Sequence, residues 1–248
     1  MAEQIKLYSN LSWLWRMWGD PAGEYARYNH HVISWITKHS RRKYHTLLDL
    51  GCGGGKNVFT LKHHYQVTGL DLSPEMLSLC HELNPETPTI CADMRDFSLE
   101  NPFDIIYIDD AISYVTSRED LLRVLRCCLK SLAPDGLMVL TPDLFKEDFV
   151  QNETEIFQSI PHQLHPDTEV TYITNNYDPD PSDDIYECLF LYLIRQRGIL
   201  TLEREVHTLG IFERDTWLGV LAELDLCVHQ ELFTEDDHQY TVYVLSKS

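Results

Sequence analysis

Asp49, Gly51, Gly53 and Gly55 alternate along the stretch LLDLGCGGGKNV (47–58), with Cys52 and Gly54 between the glycines. Glycine at this density destabilises a chain unless the backbone must take left-handed angles or lie against something a side chain would exclude. Two familiar glycine loops fail on spacing. A dinucleotide-binding G-x-G-x-x-G counted from Gly51 needs glycine where Lys56 stands, and Gly51, Lys56 and Asn57 do not supply a G-x-x-x-x-G-K-[ST] phosphate loop. An acid two residues before the first glycine is poorly placed for a pyrophosphate and well placed for an ammonium. More acids follow at regular intervals: Asp71 in GLDLSPEML, Asp93 in CADMRDF, and Asp109 with Asp110 in IDDAISYV.

The elements that position these residues are legible as alternating apolar runs and helical periodicities. Strands are expected over 46–50, 66–72, 87–93, 103–110 and 136–143, and helices over 56–64, 74–84 and 118–133. Continuous apolar strands alternating with helices define a doubly wound α/β sheet, whose ligands sit beyond the carboxyl ends of the strands. After residue 143 the pattern changes to three long strands with short turns, 168–178, 184–196 and 199–212, which read as an antiparallel insertion. A helix over 213–224 and strands over 226–233 and 239–247 complete a seven-stranded sheet. The division expected is an N-terminal helical cap (1–45), a core (46–143 with 213–248), and an insertion (144–212) that covers the substrate or forms a dimer interface.

On these residues the sequence resembles the class I S-adenosylmethionine-dependent methyltransferases of the small-molecule type, with their Rossmann-like sheet. The resemblance implies that Asp49, Gly51, Cys52, Gly53 and Gly55 form the loop under the cofactor. It implies that Asp71, with Leu72, takes the ribose hydroxyls, that Asp93 accepts from the adenine amino group, and that Met94 lies against the ring. Asp110 would face the methionine part, leaving Asp109 as the strand end, and Lys56 would turn outward from the sulfonium. LAPDGLMVL (132–140) matches the family turn before the fifth strand except that Asp135 replaces a glycine.

Methyl transfer from a sulfonium is an in-line displacement, so alignment of the reactants carries most of the catalysis. An amine acceptor needs only to arrive neutral, whereas a hydroxyl needs a base, for which His207 is the first candidate and Tyr114 a second contact. Aromatic residues at the N-terminus (Tyr8, Trp13, Trp15, Tyr25, Tyr28) and on the insertion (Tyr172, Tyr192) are further acceptor-side candidates. Nitrogen and oxygen both stay open as acceptor atoms. The rivals are aminopropyl transfer, an NAD-linked reductase on the same core, and a non-catalytic cofactor-binding module.

Composition narrows the partners. Lys and Arg total 20 against 39 Asp and Glu, a net charge of −19, which disfavours a nucleic-acid substrate and favours neutral or cationic small molecules. Seven cysteines without a C-x-x-C pair indicate neither a disulfide framework nor a zinc ribbon, and point to a reducing cytoplasm. No membrane span and no secretory leader are read from the chain, and a homodimer is open. His162, His165 and Asp167 resemble a metal cluster but sit in a Pro-flanked loop, and 178–184 lacks the glycine and glutamate of a calcium loop. No metal is therefore expected.

Overall fold

The computed structural model describes residues 5–235 and 238–248. Its main sheet contains β1 (Thr46–Leu50), β2 (Gln66–Asp71), β3 (Thr89–Cys91), β4 (Phe103–Ile108) and β5 (Leu132–Leu140) in parallel. Helices α1 (Glu24–His39), α2 (Lys56–Leu61), α3 (Pro74–Leu83) and α4 (Arg118–Ser131) fall before or between them. Strands β6 (Glu153–Gln158), β7 (Thr168–Tyr177), β8 (Ile185–Gln196) and β9 (Ile199–Gly210) form a separate antiparallel sheet in that order. The chain returns through α5 (Arg214–Glu223), β10 (Leu226–Glu235) and β11 (His238–Lys247), giving a seven-stranded sheet of order β10-β11-β5-β4-β1-β2-β3. β11 runs antiparallel to both β5 and β10.

The central strands carry apolar side chains on both faces because both faces are covered. Leu48, Leu50, Ile106 and Ile108 enter one buried cluster with α4 and α5, while Leu47, Ile105, Tyr107 and Val139 enter another with α1 and α2. Helix starts are fixed locally. Ser73 accepts from the Met76 N–H at 3.0 Å with Pro74 in the first turn, and Ser117 accepts from the Asp120 N–H at 3.1 Å.

Several elements differ from the sequence expectation: α2 ends at Leu61 rather than at residue 64, and β3 spans only Thr89–Cys91. β4 stops at Ile108 because Asp110–Tyr114 winds into a 3-10 turn, and β5 begins at Leu132, where a helix end was expected. β6 was not anticipated at all: its residues are almost wholly exposed, so no apolar alternation marks it.

The N-terminal segment contains a 3-10 helix, Ser12–Met17, and shares a core with the inserted sheet. Leu7, Leu11, Leu14 and Met17 pack with Val170, Tyr192 and Ile194. Trp18 lies 4.4 Å from Tyr172 between ring centroids, and the Ile160 N–H donates to the Met17 carbonyl at 2.6 Å. The insertion is docked on the main sheet near residue 115: a Cβ on Gly210 would fall 1.9 Å from the Val115 carbonyl oxygen, so only glycine lets β9 pass.

Candidate active site

The glycine loop joins β1 to α2. Gly51, Gly53 and Gly55 have φ of +81°, +51° and +77°, the left-handed region that side chains resist. The loop is also hemmed in. A Cβ on Gly51 would stand 2.2 Å from the Ala111 side chain, and one on Gly54 would stand 2.4 Å from the Trp15 ring. Trp15 therefore lies directly on the loop.

Asp71 closes β2 beside it. Its two oxygens accept from the Gly53 N–H at 2.8 Å and the Ser73 N–H at 2.9 Å, leaving a second lone pair on each for another donor. Burial pushes this carboxyl above its ordinary value against those bonds. Asp49 is 1% exposed, and its Oδ2 has no hydrogen-bond partner among the described residues. Burial, then Asp109, raises it well above the carboxylate range. A buried carboxylate left in this state marks a missing donor. Cys52 turns its sulfur toward Gly69 on β2, so only its backbone remains for the loop, and Leu72 stands exposed on the rim.

Asp93 is held by Arg95, whose Nη2 lies 2.6 Å from Oδ2 and whose Nε lies 3.0 Å from Oδ1. That guanidinium keeps the carboxyl below its ordinary value despite partial burial. Met94 reaches back to the space beside Gly51.

Two expectations need correction. Lys56 does not turn outward: it is 4% exposed, donates to the Trp18 carbonyl, and lies 4.6 Å from the Trp15 ring centroid and 5.2 Å from that of Tyr25. The aromatic residues that cover it belong to the N-terminal segment, and their burial of the amine lowers its pKa to about 7. Asp109 is not a solvated strand end. It accepts from Thr141 Oγ1 at 2.7 Å, Asn57 Nδ2 at 2.8 Å and Tyr28 Oη at 3.3 Å, and so ties β4, β5, α2 and α1 together.

His207 and Tyr114 are brought together. Tyr114 Oη lies 2.8 Å from His207 Nδ1, and Tyr8 Oη lies 2.7 Å from Tyr114 Oη. On the other side His207 Nε2 is 3.4 Å from Glu205 Oε1, which also accepts from Tyr192 Oη at 2.7 Å. Glu205 Oε2 accepts from the Lys6 N–H at 2.6 Å. Burial works to raise Glu205, but His207 and Tyr192 hold it below its ordinary value. Nδ1 thus meets the Tyr114 hydroxyl, while Nε2, 3.4 Å from Glu205, has no hydrogen-bond partner among the described residues. Glu205 was missed in the sequence, although it stands two residues before His207 and so on the same strand face.

A cavity of about 160 Å³ opens at the carboxyl ends of β4 and β5. Glu24, Asp109, Asp110 and Asp143 line it, together with the rings of Tyr25, Tyr28, Phe233 and Tyr240. Asp110 is reached by solvent but crowded by protein; poor hydration, then Asp109 and Asp143, push it well above its ordinary value. Asp143 is likewise reached by solvent yet crowded by protein; poor hydration, then Asp109, raises it to about 6. Among the described residues no three histidine, cysteine or acidic groups are placed to share a metal ion.

Known proteins share this design. Residues 47–136 match the family model described as a methyltransferase domain. The chain is 36% identical over 107 residues to the dTDP-4-amino-2,3,4,6-tetradeoxy-D-glucose N,N-dimethyltransferase of Saccharopolyspora spinosa, a match spanning 42% of this chain and 43% of that enzyme. It is 28% identical over 207 residues to the dTDP-3-amino-3,6-dideoxy-alpha-D-glucopyranose N,N-dimethyltransferase of Streptomyces fradiae, spanning 83% and 78% of the two chains. The fold matches that of CalS10, an amino pentose methyltransferase from Micromonospora echinaspora solved with S-adenosylmethionine, with a TM-score of 0.77, 19% identity and 98% coverage of both chains. Over residues 47–136 the chain matches a methyltransferase domain, and over nearly its whole length it has the fold of a methyltransferase solved with S-adenosylmethionine. The orphaned Asp49 oxygen and the unused lone pairs of Asp71 fit that cofactor's ammonium and ribose hydroxyls.

Proposed function

We propose that the chain methylates an amine nitrogen of a small molecule. S-adenosylmethionine, when bound, supplies an electrophilic methyl group on a positively charged sulfur. Asp49 and the backbone at Gly51, Gly53 and Gly55 hold the methionine ammonium, and Asp71 with Leu72 takes the ribose hydroxyls. Asp93 and Met94 receive the adenine, and Asp110 faces the methionine end.

The observation that carries the acceptor side is the 2.8 Å contact between Tyr114 and His207, one turn beyond β4 and continued to Glu205. Tyr8 and Tyr114 orient the acceptor nitrogen, and Tyr114 takes the proton it sheds while passing its own hydroxyl proton to His207 Nδ1, with the Glu205 carboxylate 3.4 Å from Nε2 to balance the imidazolium. The N-terminal segment and the insertion exclude water from this line by packing on one another. The two N,N-dimethyltransferase relatives support nitrogen over oxygen. All seven cysteines are free thiols, which supports a cytoplasmic setting, and no helix among the described residues is long and apolar enough to cross a membrane. Exposed Leu200, Leu202 and Val206, on one face of β9, support a homodimer through the insertion.

Incubation with S-adenosylmethionine carrying a labelled methyl group and a pool of small amines tests the reading. Label is expected in an amine product. Calorimetric binding of the cofactor with no transfer to any acceptor would return the chain to the non-catalytic alternative.

A further inference from the structure

The cavity at the ends of β4 and β5 differs in charge from what a nucleotide-linked acceptor demands. A diphosphate is recognised by Arg, Lys or backbone N–H groups. Among the described residues lining this cavity there is no lysine or arginine, and Glu24, Asp109, Asp110 and Asp143 all face it. Asp109 is engaged by Thr141, Asn57 and Tyr28, so its position is fixed. Asp110 and Asp143 are different: no hydrogen bond from another described residue reaches either side chain, and neither forms an ion pair. Both carboxylates are reached by solvent, but like charges grouped on one cavity repel one another, and a cation placed among them relieves that repulsion.

The remaining lining is aromatic. Tyr25, Phe233 and Tyr240 bring rings to the same space, and ring faces attract cations and reject anions. The cavity also belongs to the reaction site. Asp110 opens the five-residue 3-10 turn that ends at Tyr114, so the acidic pocket and the Tyr114–His207 pair lie at opposite ends of one turn. At about 160 Å³ the cavity admits a short alkyl or single-ring amine and falls well below the roughly 300–1,000 Å³ of ordinary ligand pockets.

We infer that the acceptor is a small, phosphate-free amine carrying a second positive charge, held by Asp110 and Asp143 between Tyr25, Phe233 and Tyr240, and is not a nucleotide-linked sugar. This rests on the amine-methylation reading above and narrows it. The charge of the acceptor, rather than a nucleotide handle, then sets its orientation: the bound ammonium fixes one end, and the reacting nitrogen is presented toward Tyr114.

Calorimetry on the full chain saturated with S-adenosylhomocysteine separates these classes without requiring turnover, with ethylenediamine and piperazine as cationic probes and thymidine diphosphate as the anionic one. The diamines are expected to bind and thymidine diphosphate not to. Asp110→Asn and Asp143→Asn should each weaken diamine binding by about tenfold, the effect of one charge-assisted hydrogen bond, and Asp143→Asn, which lies outside the cofactor site, should keep S-adenosylhomocysteine affinity within about twofold of wild type. Unchanged far-ultraviolet circular dichroism shows that each variant is folded. Binding of thymidine diphosphate without the diamines, or unchanged diamine affinity in both variants, overturns the inference. Methylation of nucleotide-linked amino sugars alone would do so while leaving amine methylation intact; diamine binding with no methyl transfer to any amine would instead sink the proposed reaction and leave the cation pocket standing.

Discussion

Tyr114 and His207 meet at 2.8 Å although 93 residues separate them, and the bond joins the turn after β4 to the third long strand of the inserted sheet. The parallel core and its insertion thus contribute one partner each to a single polar line. His207→Gln, which keeps a side chain of similar reach but cannot take the proton, is expected to lower kcat by about a hundredfold with little change in cofactor affinity. Combined with Tyr114→Phe the loss should be less than the product of the two single losses, since both act through the same contact. Steady-state kinetics on the three variants checks this, and additive losses would separate the two residues.

Asp71→Ala removes the carboxylate that spans Gly53 and Ser73. It should weaken S-adenosylmethionine binding by about tenfold to a hundredfold, the effect of one or two hydrogen bonds to a charged group. Titration calorimetry reads the value directly, and an unchanged dissociation constant would remove Asp71 from the ribose site.

Gly51→Ala places a methyl group 2.2 Å from the Ala111 side chain at φ +81°. The left-handed backbone alone costs about 1–2 kcal/mol, and the clash adds to it. For a chain of this size the midpoint of thermal unfolding should fall by about 5 °C or more, with cofactor binding lost, as scanning calorimetry would record.

Lys56 makes stability depend on pH. Its folded pKa of about 7 lies below the ordinary 10.5, so below about pH 7 both folded and unfolded chains hold the proton and the full penalty of a buried ammonium is present. Between about 7 and 10.5 only the unfolded chain is protonated, and folding stability rises with pH across that window. At about 1.4 kcal/mol per pH unit the span is worth at most about 5 kcal/mol. Lys56→Met should be more stable than wild type at pH 6 to 7 and should flatten the rise, measured by urea unfolding across the window. A wild-type chain equally stable at both ends would show that the rings of Trp15 and Tyr25 fully compensate the charge.

The sequence carries the core well because each parallel strand announces itself twice, as an apolar run and as the acid or glycine at its carboxyl end. Asp49, Asp71 and the Gly51–Gly55 loop are all local signals. What stays hidden is set by contacts between distant segments. Lys56 reads as a surface lysine until Trp15, Trp18 and Tyr25 arrive from the N-terminus, and Asp109 reads as a strand end until Thr141, Asn57 and Tyr28 converge on it. Asp143 and Glu24 carry no motif; only the closing of the cavity makes them neighbours of Asp110. β6 is invisible for a different reason, since an exposed edge strand has no buried face to impose alternation.

The shared packing of Leu7, Leu11, Leu14 and Met17 with Val170, Tyr192 and Ile194 has a consequence for how the molecule is made. During synthesis Leu7, Leu11, Leu14 and Met17 lack these apolar partners until β7 and β8 emerge and pair. The parallel sheet is then already assembling, and Trp15 can seat on the glycine loop only afterwards. Closure over the glycine loop therefore depends on a pairing between segments far apart in the chain.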